Sequence, residues 1–178
     1  MIPRRAHIIK EYLLSRKISI EEPFEKSNYT FPREREEYCI FFDAERIKCL
    51  IHSAKPETCV AGPITFDINL KKACIEWYLK TGKSCALAGT LYLNKDKLRE
   101  HLSIARREIL ILLDGLSPME THTILRIEEP ETFKIAEDQL DPHLLVKLHV
   151  SPQHNEVVTH HTKRPSSELQ EKRENHGI

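Results

Sequence analysis

The sequence has no long apolar run and no excess of charge of either sign. None of its segments approaches 18 consecutive apolar residues, so we expect no membrane-spanning helix. The 178 residues include 27 basic and 27 acidic side chains, which gives a formal net charge of zero. Because phosphate neutralisation dominates nucleic-acid affinity, a chain without a basic excess is not expected to bind nucleic acid.

The sequence also lacks the usual motifs for nucleotides and metals. The segment TGKS at 81–84 resembles part of a phosphate-binding loop, but Trp77 stands where that motif needs its first glycine. No Cys-x-x-Cys pair occurs, and structural zinc sites usually draw their ligands from such pairs. We therefore predict no metal and no cofactor. The nearest approach to a zinc-ligand pair is Cys49 with His52, to which Cys59 could add a third ligand.

The N-terminal segment and the cysteines indicate a cytoplasmic protein. MIPRRAHIIKEYLLSRK is too charged for a signal peptide. An odd number of cysteines without a signal peptide favours reduced thiols in a cytosol-like compartment. The cysteines are Cys39, Cys49, Cys59, Cys74 and Cys85.

Helical spacing of apolar residues predicts two amphipathic helices, one near the N-terminus and one just past the middle of the chain. Residues 6–17 carry a stripe of Ile8, Ile9, Tyr12 and Leu13. Residues 95–113 give the strongest helical pattern, and Asp114–Gly115 ends it. The stripe of this second helix consists of Leu98, Leu102, Ala105, Ile109 and Leu112 or Leu113.

A third helix is predicted over 69–81, with a loop after it. Leu70, Cys74 and Trp77 have helical spacing there, and Asn69 is a suitable N-cap. Gly82 suits the left-handed position that ends many helices. We expect a loop from this glycine to about Asn94.

Short apolar runs beside turn-forming residues predict two β-hairpins. One pairs residues 49–52 with 58–61, and the other pairs 144–150 with 156–161. The polar residues 163–178 predict a disordered tail. Together these elements predict an α+β protein.

The order of elements between residues 38 and 113 resembles that of the U-box, the metal-free relative of the RING domain of ubiquitin ligases. The motifs of the U-box family are a central helix with an Ile-Glu-x-Trp-Leu pattern, a Thr-Gly-Lys turn, a Cys-Pro-Leu loop and a Leu-Arg pair that opens the last helix. Cys39 also matches the cysteine of the family's first loop. The other matching residues are Ile75, Glu76, Leu79, Thr81, Gly82, Lys83, Cys85, Ala86, Leu87, Leu98, Arg99 and Leu102.

The resemblance implies a division of the chain around one small module. Residues 1–37 would form an N-terminal helix and a connecting segment, and 38–115 the U-box-like domain. That domain would run loop, short β-hairpin, central helix, loop and terminal helix. Residues 116–162 would form a C-terminal β-hairpin region that recruits substrate or sets the location of the protein, followed by the tail at 163–178.

The resemblance also implies a ubiquitin ligase, a transferase that needs no catalytic residue of its own. Such a protein binds a ubiquitin-conjugating enzyme charged with ubiquitin and favours transfer to a protein substrate by proximity. Degenerate domains of this kind occur in ligases that bacteria inject into host cells, which would place the chain in the host cytosol. U-box ligases often work as dimers, so a homodimer is an open alternative.

The predicted binding surface is a shallow apolar groove between two loops and the central helix, because aromatic anchors commonly dominate interfaces. The spacing of Trp77 is also typical of a core residue. Phe41 and Phe42 would point to opposite sides of an extended segment, so one of them should be buried. The groove residues are Ile40, Phe41, Trp77, Tyr78, Ala86 and Leu87.

Other functions remain open on the sequence alone. The same aromatic patch would serve a non-enzymatic protein-binding adaptor. A small metal-dependent enzyme could use the C-terminal histidines, and Cys85 could act as a nucleophile. The histidines in question are His143, His149, His154, His160 and His161.

Overall fold

The computed structural model describes residues 1–149 except 37, 128 and 130, and it confirms the predicted α+β class. None of the helices in this part is both long and apolar enough to cross a membrane. The helices are α1 (Pro3–Ser15), α2 (Glu57–Ala61), α3 (Ala86–Leu93), α4 (Lys95–Gly115), α5 (Pro118–Leu125) and α6 (Pro142–His149), with a 3-10 helix at His52–Ala54. The strands are β1 (Phe24–Lys26), β2 (Thr30–Pro32), β3 (Glu34–Arg35), β4 (Tyr38–Cys39), β5 (Phe42–Asp43), β6 (Lys48–Cys49), β7 (Ile64–Asn69), β8 (Cys74–Lys80) and β9 (Thr132–Gln139).

Strands β7, β8 and β9 form an antiparallel sheet with β8 in the middle. Along β8 the side chains alternate. Ile75, Trp77 and Leu79 are buried, whereas Glu76 and Tyr78 lie on the opposite face. The period of two gives the sheet one face toward the core and one polar outer face.

The predicted helix over 69–81 is wrong, because this segment forms the β7–β8 turn and β8 itself. Asn69 does not cap a helix; its side chain accepts a hydrogen bond from the backbone N–H of Lys72 at 3.1 Å, inside the turn. Ala73 closes the turn in the left-handed conformation, with φ of 50°. The short apolar run around Trp77 fits both the helical period and the strand period. Pairing with β7 on one side and β9 on the other stabilises it as a strand.

Two further predictions in the first half of the chain are wrong. Residues 49–52 and 58–61 do not pair; β6 pairs with β5, and residues 58–61 belong to α2. The predicted loop from Gly82 to Asn94 contains α3. Both segments are short, so their apolar residues did not reveal a helical period.

The predicted C-terminal hairpin is wrong in its first strand, since residues 142–149 form α6. Leu144 and Leu148, four residues apart on this helix, are both buried. The partner segment 156–161 and the tail 163–178 lie outside the described residues.

Helix α4 provides the largest part of the main hydrophobic core, and its predicted apolar stripe faces that core. Asn94 caps it by accepting a hydrogen bond from the backbone N–H of Lys97 at 3.0 Å. The helix packs against the sheet, α3 and α6. Its buried side chains include Leu102, Ala105, Ile109, Leu112 and Leu113.

Trp77 connects three elements of this core. Its side chain is completely buried, and its Nε1–H donates to the Asp138 carboxylate at 2.7 Å. The Arg106 guanidinium binds both oxygens of the same carboxylate, at 2.6 and 2.9 Å. The arrangement therefore ties β8, β9 and α4 together and satisfies the buried indole N–H.

A second, smaller core lies under α1. Ile9 and Leu13 pack there with Phe41, Ile51 and Ala54. The predicted N-terminal helix is thus confirmed, and it packs on the segment that follows residue 38. Ile8, predicted as part of the buried stripe, is exposed.

Arg5 links the two cores through charged hydrogen bonds. Its Nε donates to Glu57 of α2 at 3.3 Å, and its Nη2 donates to Glu108 of α4 at 2.6 Å. Arg107 binds the other oxygen of Glu108 at 3.1 Å. Glu57 is fully buried, and its Oε2 has no hydrogen-bond partner among the described residues.

We predict that Arg5→Ala destabilises the protein by roughly 3 kcal/mol, because it leaves the fully buried Glu57 without its salt-bridge partner and removes one of the two arginines that bind Glu108. Urea unfolding near neutral pH measures the change. Arg99→Ala is the matched control, since Arg99 pairs with Asp96 where both side chains are exposed. That control should cost less than about 1 kcal/mol. Equal losses in the two variants would show that Arg5 does not link the cores.

Candidate functional site

The structure does not bring the six predicted groove residues together. Phe41 and Trp77 are buried in different hydrophobic clusters, with 1% and 0% of their surface exposed. Tyr78 lies on the outer face of the sheet, because strand alternation turns it away from Trp77. Ile40 is half-buried beside the smaller core. Only Ala86 and Leu87 are exposed, in the first turn of α3.

The prediction that one of the two adjacent phenylalanines is buried is confirmed. Phe41 packs edge-on against Phe24, with ring centroids 6.0 Å apart. Phe42 is half-buried and stacks on Tyr38 at 5.4 Å. Phe41 is therefore a core residue and has no free face for a partner.

A concave cleft of about 620 Å³ lies beside β7. Its walls are the β1–β2 hairpin, α2, the outer edge of β7, and α5 with the residues after it. Phe31, Ile124 and Ile127 contribute apolar surface, and Asp67 and Glu129 contribute carboxylates. A mostly apolar cleft of this size with a few polar groups is typical of a binding site.

The edge of β7 that faces this cleft has unpaired backbone groups. The Lys80 N–H donates to the Pro63 carbonyl at 3.0 Å, so every second residue from Pro63 onward bonds to β8. The N–H and C=O groups of Ile64, Phe66 and Ile68 consequently point away from β8. Asp67 accepts from the Ile68 N–H at 2.7 Å. No described residue bonds the backbone groups of Ile64 or Phe66 on this side.

A polar corner closes one end of the cleft. The Glu129 carboxylate accepts from the Thr65 hydroxyl at 3.0 Å and pairs with the Lys80 ammonium at 2.9 Å. Both oxygens of Glu129 are therefore engaged by fixed partners. Tyr29 also lines the cleft, and burial raises the pKa of its phenol, which keeps it a neutral hydrogen-bonding group.

The thiol in the cleft is not an activated nucleophile. The described lining of the cleft contains no histidine, and its one thiol is Cys59. Burial raises the pKa of Cys59, and the nearby Cys39 and Cys49 raise it further. The thiol is therefore protonated near neutral pH and is a weak nucleophile. Cys85, the other candidate nucleophile, lies outside the cleft at the start of α3.

A second polar cluster lies on the outer face of the sheet. The Lys134 ammonium donates to Glu76 at 2.8 Å and to Glu137 at 2.5 Å, and the Tyr78 hydroxyl donates to Glu76 at 2.7 Å. These hydrogen bonds from Lys134 and Tyr78 lower the pKa of Glu76. The cluster is a closed network in which each carboxylate already has a cation.

The same cluster contains the one group of described residues with metal-like spacing. Ligand atoms of Cys74, Glu76 and Glu137 lie within 4.8 Å of one another. The ammonium of Lys134 already binds both carboxylates. Burial raises the pKa of the Cys74 thiol, and a protonated thiol is a poor metal ligand. We therefore assign this group a structural role.

The metal alternatives from the sequence gain no support in the described residues. Cys49, His52 and Cys59 do not meet the spacing that a shared ion requires. The backbone N–H of His143 donates to Asp141 in the first turn of α6. The histidines at 154, 160 and 161 and the side chain of His149 lie outside the described part of the chain.

Searches against protein-family models, curated proteins and solved structures found no match for the chain. The resemblance to the U-box therefore stays a prediction. The assignment of a function depends on the geometry of the cleft and of the surfaces around it.

The cleft was not predicted from the sequence because its walls come from distant segments. Residues 29–32, 56–67 and 124–132 meet only after the sheet and α5 have packed. The alternation of ITFDI at 64–68 signals a strand with one buried face, and this was the one local indication of β7. Nothing local shows that the strand lies at an edge.

We predict that Tyr78 titrates abnormally. Burial, followed by the hydrogen bond to Glu76, raises its pKa from the ordinary value of 10 to about 12. Because the unfolded state loses this proton first, stability should fall as the pH rises from about 10 to about 12. The difference in phenolate absorbance between wild type and Tyr78→Phe isolates this one tyrosine. Glu76→Gln should move the pKa back toward 10, and an unshifted wild-type titration would contradict the buried network.

Proposed function

We propose that this chain is a non-enzymatic protein-binding adaptor that takes up an extended segment of a partner protein along β7. The observation that supports the proposal is the pairing of an open strand edge with a cleft. Addition of a strand to an open edge is a recurrent mode of peptide recognition, in which backbone bonds give affinity and side-chain pockets give specificity.

The backbone groups define where the partner segment would lie. The N–H and C=O groups of Ile64 and Phe66, which no described residue bonds on this side, offer two donors and two acceptors to an antiparallel or parallel strand. The Asp67 carboxylate already caps the Ile68 N–H, so the added ladder would stop there. The site therefore suits a short extended segment.

The walls of the cleft define the side chains that fit. Ile127 is 49% exposed at the mouth of the cleft, and Phe31 and Ile124 are half-buried inside it. The Glu129–Lys80 pair and Asp67 line the polar side. Successive side chains of a strand point in opposite directions, so a partner segment of alternating apolar and polar residues fits best.

We predict that a peptide selected from a random display library on the intact protein binds through its backbone. N-methylation of alternate amides should weaken binding about tenfold or more in one frame, because it removes bonds to β7. The same modification shifted by one residue should have little effect. Isothermal titration calorimetry measures both peptides, and equal losses in the two frames would contradict strand addition.

The protein side of this experiment has a matched control. Ile127→Asp places a charge in the cleft, whereas Ile111→Asp places one on α4 at a position that is 42% exposed and does not line the cleft. Only Ile127→Asp should weaken the peptide. If both variants bind like wild type, the peptide does not occupy this cleft.

The ubiquitin-ligase hypothesis remains a prediction, and ubiquitin transfer tests it directly. Under the adaptor proposal, no ubiquitin chains should form above background with a panel of conjugating enzymes. Transfer that is lost in a folded Ile40→Ala or Leu87→Ala variant would contradict the proposal and support a ligase. Phe41→Ala is unsuitable for this purpose, since truncating a buried phenylalanine costs about 3–5 kcal/mol and would report on folding.

A further inference from the structure

Helix α3 carries an apolar surface that the cleft does not use. Its sequence ALAGTLYL has no charged residue. Ala88 and Leu91 face the main core, with 1% and 4% of their surface exposed. Leu87, Tyr92 and Leu93 face outward, and 47%, 64% and 85% of their surface is exposed. We call these three residues the α3 patch.

The α3 patch lies against the end of the sheet. A shallow groove runs beside it, lined by Tyr92, Leu93 and Phe133 together with the 80–82 turn. The Tyr92 ring packs edge-on against Phe133, with centroids 5.5 Å apart. Gly82 and Gly89 approach so closely that a Cβ on Gly82 would lie 3.3 Å from the Gly89 Cα. A partner would therefore meet a preformed surface, which reduces the entropic cost of binding.

Lysines stand at both ends of the α3 patch. Lys83 precedes the helix, and Lys95 and Lys97 follow it; all three are exposed, and no described residue forms a salt bridge with them. Asp96, between the last two, is paired with Arg99 at 3.2 Å. Two further acidic residues adjoin this corner. Glu129 pairs with Lys80 at 2.9 Å, and the backbone carbonyl of Glu131 accepts from the Thr81 N–H. The surroundings of the patch are therefore net positive.

We infer that the α3 patch is a second docking surface, whose occupant is an amphipathic segment of a partner protein with apolar anchors and flanking acidic residues. The apolar side chains would contact Leu87, Tyr92 and Leu93. The acidic residues would pair with the lysines at the two ends. Complementary charge at the rim of an apolar contact speeds association and selects the partner. This surface is distinct from the β7 cleft. The two adjoin at Lys80, the one described residue that lines both.

Two synthetic peptides with the same pattern of leucines test the charge of the occupant. One carries glutamate at the polar positions and the other carries lysine. Fluorescence anisotropy with the intact protein should show that the acidic peptide binds at least about tenfold more tightly. Raised salt should weaken it, because screening acts on exposed charge pairs. Equal binding of the two peptides, or binding of neither, would overturn the inference.

Protein variants locate the binding surface. Leu93→Asp should abolish binding of the acidic peptide, and Lys83→Glu with Lys97→Glu should weaken it about tenfold. Met119→Asp is the control, because Met119 is 63% exposed on α5 and lies outside the patch. Loss of binding in Met119→Asp as well, or in none of the variants, would overturn the assignment.

Self-association is the rival occupant of the α3 patch. Sedimentation of wild type and Leu93→Asp over a range of concentrations should show monomers in both cases. A wild-type dimer that Leu93→Asp dissociates would show that a second copy covers the patch, and it would overturn the inference. The cleft-binding peptide should bind Leu93→Asp as it binds wild type, so failure at one surface is distinguishable from failure at the other.

Discussion

Arg5 is the contact through which the two halves of this protein support each other. Its guanidinium reaches from α1 to a glutamate of α2 and a glutamate of α4, so it joins the small core under the first helix to the main core. The fully buried Glu57 is costly without this cation. Glu57 is the first residue of α2, and α2 forms one wall of the cleft beside β7.

The cleft and the α3 patch lie at two different borders of the β7–β8–β9 sheet. The edge of β7 opens into a cleft with aromatic and aliphatic walls, and the far end of the sheet supports α3 with its exposed apolar residues. The outer face between them is closed, because Lys134 and Tyr78 satisfy the glutamate of β8. Tyr78 belongs to this network and also lines the cleft, so the closed face adjoins the β7 site.

The parts of the fold that the sequence predicts well are those fixed by long local periodicity. Helix α4 was predicted with its buried stripe, and α1 was predicted with Ile9 and Leu13 inside. The segment around Trp77 was misassigned because seven residues cannot separate a helical from a strand period. Its conformation depends on β9, which lies more than 50 residues away. The cleft depends on such distant contacts as well, so its residues could not be predicted.

The position of β8 between β7 and β9 has a consequence for synthesis of the chain. β8 pairs at once with β7 through a short turn, but its other edge waits for residues 132–139. Until those residues leave the ribosome, a strand containing Ile75, Trp77 and Leu79 presents an unpaired edge. Open apolar edges of this kind are sites of aggregation. A chain that stopped before β9 would retain that edge permanently, so β9 also protects this edge from pairing with other chains.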